Sequence, residues 1–129
     1  MMNVPLGLFY TEHDEWAQRV GQEVVTGITD YAQDQLSDIV YVELPEVGDH
    51  YAAGEPYGVV ESVKAASDVF MPVGGEIVAV NEELESAPEI INQDPFGKGW
   101  MVRIQPDDQS ELGSLLDAAT YQARVEAKG

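Results

Sequence analysis

Short apolar runs punctuated by Gly and Pro dominate the chain, and they predict strands joined by tight turns. Ala17–Val20 and Glu23–Thr26 flank Gly21-Gln22 and read as a hairpin. The period then changes. Thr29 or Asp30 can cap, Gln33 sits three residues past Asp30, and Ala32 and Leu36 share one helical face, so a short helix is predicted. Ile39–Leu44 is β-branched and aromatic and predicts a strand, closed by a turn over Pro45–Asp49. Gly54-Glu55-Pro56 opens a limb that climbs to Ser62, and Val69-Phe70-Met71 descends from it. After Pro72–Gly75, Glu76–Val80 predicts a further strand, and Asn81 is expected to cap a helical turn through Leu84. Trp100–Ile104 is the last predicted strand. Leu112, Leu115, Leu116, Ala119 and Val125 then recur near helical spacing and predict a C-terminal helix with one face on the sheet. Seven or so short strands with few helices predict a small barrel or sandwich.

At 129 residues the chain reads as one domain, residues 1–129, and its hydrophobic fraction of 44% is that of a globular protein. Net charge changes the picture more. A formal charge of −18 repels phosphate backbones and anionic lipid, which argues against nucleic acid and membrane surfaces as partners and favours basic docking surfaces. A halophilic source would give the same balance. No stretch has the length and apolarity of a membrane span, and neither a signal nor a transit pattern opens the sequence, so a cytoplasmic protein is expected.

Cys is absent, so a cysteine nucleophile and thiolate metal sites are excluded. His13 and His50, the only imidazoles, stand apart from any metal-ligand pattern. No Gly-rich phosphate loop occurs, and the acidic runs lack the spaced ladder and central Gly of a calcium loop. What remains is Lys64. It is the only Lys or Arg between Val20 and Gly97, a span with sixteen carboxylates, and it sits in Glu61-Ser62-Val63-Lys64-Ala65-Ala66-Ser67-Asp68. An isolated amine among small residues at a hairpin tip suits a covalent carrier, in which the cofactor does the chemistry and the protein supplies attachment and recognition.

That motif resembles the lipoylation site of glycine cleavage H proteins. Further blocks resemble the same family in order: Gly27–Gln33, Val40–Gly48, Pro72–Ile77, Val80–Glu82, Pro88–Pro95 and Gly99–Met101. The resemblance covers about Tyr10 to Tyr121. It implies a mainly β barrel-sandwich hybrid of two small antiparallel sheets, lipoyl-domain-like, with short peripheral helices and a C-terminal helix.

It also implies lipoate on Lys64 as cofactor, and a non-catalytic shuttle as function. The arm would take an aminomethyl group from a pyridoxal-phosphate glycine decarboxylase, the P protein. It would pass that group to a tetrahydrofolate-dependent aminomethyltransferase, the T protein, and be reoxidised by dihydrolipoamide dehydrogenase, the L protein. Lipoate-attaching enzymes are further implied partners, and a shuttle serving several enzymes is expected to be a monomer. Glu61 is a candidate recognition residue, and Glu15 and Asp68 are candidate cleft carboxylates that would face the cargo's ammonium. The family's His-Glu-Trp is displaced here to His13-Asp14-Glu15-Trp16, and a one-residue shift within a strand would turn the imidazole to the opposite face. Val63 and Ala65 replace the Met residues that flank biotinyl lysines, which argues against a biotin carrier. Two other readings compete: an H-like carrier serving lipoate relay or sulfur oxidation, and an unmodified acidic interaction module.

Overall fold

A computed structural model describes residues 2–128. In chain order the strands are β1 (Phe9–Tyr10), β2 (Glu15–Val20), β3 (Glu23–Ile28), β4 (Ile39–Glu43), β5 (His50–Tyr51), β6 (Pro56–Ser62), β7 (Ala66–Phe70), β8 (Gly75–Val80) and β9 (Val102–Pro106). Helices α1 (Asp30–Leu36), α2 (Glu83–Ser86), α3 (Ile90–Gln93) and α4 (Ala118–Lys128) lie between or after them. The strands form two antiparallel sheets: six strands in the order β1-β2-β3-β9-β8-β5, and three in the order β4-β6-β7. Side chains from both sheets meet in one core. Ala17, Val24 and Ile104 come from the larger sheet, and Val42, Val60 and Val69 from the smaller. Two small antiparallel sheets closed on one core are what the barrel-sandwich expectation requires.

The two strands beyond the expected seven, β1 and β5, are two residues long and carry too little pattern to be read in sequence. The hairpin turn at Gly21 is explained by its φ of 63°, which glycine adopts without penalty. Gly75 is needed for a different reason. A Cβ there would overlap the Gln105 carbonyl oxygen and lie 2.7 Å from Ile104 Cγ2. Gly75→Ala is therefore expected to cost about 3 kcal/mol and lower Tm by roughly 10 °C, measurable by calorimetry.

The C-terminal expectation is corrected. Instead of one helix from Leu112, a 3₁₀ turn spans Gln109–Ser114 and Leu116 is extended. Leu116 and Tyr10 exchange two backbone hydrogen bonds of 2.8 Å, and this pairing interrupts the helical pattern. The helix starts afresh at Ala118, where Asp117 Oδ1 accepts the Thr120 N–H. It buries Ala118, Tyr121 and Val125, while Ala119 is exposed. Its contact is a second cluster, in which Tyr121 stacks on Tyr10 with centroids 4.7 Å apart. Asn81 is also not a side-chain cap: its Nδ2 donates to the Lys98 and Trp100 carbonyls, and Glu82 occupies the cap position.

Candidate functional site

Strands β6 and β7 form a hairpin whose three connecting residues are Val63, Lys64 and Ala65. Ser62 makes this loop rigid. Its Oγ accepts the backbone N–H groups of Lys64 and Ala65, and its N–H donates to Ala65 O at 2.8 Å. A hydroxyl satisfying two loop amides is the local reason for a tight turn here, a role of Ser62 that the sequence reading missed. Lys64 is exposed. Its Nζ donates one hydrogen bond, to Gln35 O at 3.3 Å, and no carboxylate among the described residues forms an ion pair with it. An accessible amine on a stiff turn, followed by the small residues Ala65, Ala66 and Ser67, fits amide attachment of an acyl arm.

Glu61 is half-buried beside the tip, registered against Tyr41 on one side and Ala66 on the other. Asp68 lies part-way down β7, opposite Val59, and is exposed. It lines a cleft of about 470 Å³ with Glu43, Glu46, Asp49 and Tyr57.

Glu15 is elsewhere. It is 1% exposed at the start of β2 and reaches across to the smaller sheet, where Oε2 accepts the Phe70 N–H at 3.0 Å. Thr11 Oγ1 donates to its Oε1 at 2.5 Å. Burial raises its pKa above the ordinary 4.5, against the two hydrogen bonds and nearby His13, which lower it. It lines a cleft of about 420 Å³ together with Thr11, His13, Met71, Pro72 and Leu115. The two candidate carboxylates thus line separate clefts. The simple surface carboxylate that a strand-edge Glu suggests does not describe Glu15.

His13 is also placed differently from the sequence argument. Residues 12–14 form a turn and not a strand, so alternation does not decide its face. Its ring packs on Phe70 with centroids 4.5 Å apart. The residue where the family's histidine would align, Asp14, has φ 67° and accepts hydrogen bonds from Tyr121 Oη and Lys128 Nζ. Thr11 and Phe70 carried no sequence signal, because their role depends on two sheets meeting.

The family profile described as glycine cleavage H-protein matches residues 8–128. The chain belongs to the glycine cleavage H-protein family. Among similar relatives, a glycine cleavage system H protein of Anaeromyxobacter sp. (strain K) is 54% identical over 125 residues, covering 97% of this chain and 98% of the relative. One from Thermus thermophilus is 55% identical over 127 residues, covering 98% and 99%. The crystal structure of a glycine cleavage system H protein from Mycobacterium marinum superposes with a TM-score of 0.86 at 38% identity, covering 94% of this chain and 98% of that one. What the site offers is a displayed amine on a braced turn and, in a separate cleft, a buried carboxylate.

Proposed function

We propose that this chain is the lipoyl-carrying shuttle of the glycine cleavage system, attached through Lys64. The observation that carries the reading is the Lys64 amine itself, presented by a Ser62-braced turn and, among the described residues, ion-paired with no carboxylate. Joined to Nζ as an amide, a lipoyl group supplies the disulfide–dithiol chemistry that takes up and releases the aminomethyl group of glycine. The protein's residues do the rest. Ser62 holds the turn, Glu61 marks its flank for the lipoate-attaching enzymes, and the Glu15 cleft offers a carboxylate screened from water to a cationic cargo. Asp68 adds a second carboxylate, on the neighbouring cleft.

The chain is a carrier and not a catalyst. Its partners in this reading are the P, T and L proteins, met one at a time by a cytoplasmic monomer whose net charge of −18 favours basic docking surfaces. No helix among the described residues is long and apolar enough to cross a membrane. Intact mass after treatment with a lipoate-attaching enzyme tests the assignment. One added lipoyl acyl group, mapped to Lys64 by peptide fragmentation, is expected; acylation confined to Lys98 or Lys128, or none, overturns it.

A further inference from the structure

Asn92 lies far from Lys64 in sequence and is connected to it by successive hydrogen bonds. Its amide makes three hydrogen bonds: Nδ2 donates to Ser37 O and to Gln33 Oε1, both at 2.9 Å, and Oδ1 accepts the Ile39 N–H at 2.9 Å. These partners straddle the corner between α1 and β4. At its centre Ser37 has φ 68° and ψ −150°, a region that residues with side chains occupy only when their surroundings hold them there. Ser37 N–H closes on Gln33 O at 3.0 Å, while Asn92 holds the carbonyl side of the same residue.

The corner in turn holds the tip at three successive residues. Ile39 pairs with Ser62, Asp38 O accepts the Val63 N–H at 3.1 Å, and Gln35 O accepts from Lys64 Nζ. An amine on an unbraced loop would point in many directions, and only a fraction of them would suit an acyl-transferring enzyme.

We propose that Asn92 is a positioning residue for acylation of Lys64: it fixes the Gln35–Ile39 corner, and the corner fixes the direction in which the amine is presented. This rests on Lys64 as the attachment residue. In the step concerned, the deprotonated Nζ attacks the carbonyl carbon of an activated lipoyl donor. The C–N bond forms as the bond to the leaving group breaks, and the nitrogen gives up its surplus proton to solvent, with no change of oxidation state.

The test uses the full unmodified chain with a lipoate-attaching ligase, lipoate and ATP. Asn92→Ala is expected to lower kcat/KM for acylation about tenfold, since small misplacements far from the reacting atoms carry losses of this order. Asn92→Asp keeps the acceptor for Ile39 N–H but loses both donations, and is expected to fall between Asn92→Ala and wild type. Val125→Ala, which loosens only the C-terminal cluster, serves as the stability control and is expected to acylate as wild type does. Hydrogen exchange of the Val63 amide reports the brace without any acylation, and it should quicken in both Asn92 variants but not in Val125→Ala. If Asn92→Ala and Asn92→Asp acylate at the wild-type rate, or if Val125→Ala slows as much as they do, the positioning role is overturned. A wild-type protein that is not acylated on Lys64 overturns instead the attachment reading beneath it.

Discussion

Lys64→Arg is expected to give a folded protein that accepts no lipoyl group and supports no glycine exchange with the reconstituted decarboxylase. The fold should survive because the side chain is exposed and makes one hydrogen bond to a carbonyl, which an arginine can also donate. Surface changes of this kind alter stability by about 0.5 kcal/mol or less. Function should vanish because acylation needs a neutral amine, and a guanidinium does not give up its proton in proteins. Ser62 and its two loop amides are untouched, so the defect is chemical and not conformational. Unfolding curves, intact mass and exchange rates measured on one preparation separate the two. Appreciable exchange by the arginine protein would refute the carrier assignment.

Much of this site was legible because its parts are local. The hairpin limbs announce themselves through Val59-Val60 and Val69-Phe70, the turn through the small residues Ala65, Ala66 and Ser67, and the amine through its isolation in an acidic stretch. The first hairpin, α1, β4 and β8 were legible for the same reason: period and punctuation lie within a few residues of each other. The rest depends on contacts distant in sequence. Leu116 sits on the helical stripe with Leu112 and Leu115, yet its main chain pairs with Tyr10, more than a hundred residues away. Asn81 has the sequence context of a cap, but two carbonyls near Trp100 claim its amide. Glu15 and Asp68 look equivalent as carboxylates near aromatic neighbours. Only the meeting of β2 with the foot of β7 buries one and leaves the other in water.

That difference makes Glu15 the residue whose charge should matter most after Lys64. Burial raises its carboxyl pKa, so the folded protein holds the proton more tightly than the unfolded chain. A raised folded pKa contributes stability that is present in full below the unfolded value, near 4.5, and is lost as pH rises through the folded value. Glu15→Gln lacks this titration. Its Oε1 can accept the Phe70 N–H while its Nε2 donates to Thr11 Oγ1, so the seat is filled in acid and at neutral pH alike. The stability of Glu15→Gln relative to wild type is therefore expected to rise between pH 4.5 and 7. Urea unfolding at several pH values measures this, and a pH-independent difference would show that the carboxyl is not held out of water. The cost should appear in function. Without the negative charge the cleft loses a charge-assisted hydrogen bond to a cationic cargo, and the lifetime of the loaded carrier in water should fall about tenfold or more. Asp68→Asn, on the exposed neighbouring cleft, is expected to change that lifetime by less than about twofold, because solvent already screens it. Equal effects of the two substitutions would mean that the buried carboxylate holds no privileged place in protecting the cargo.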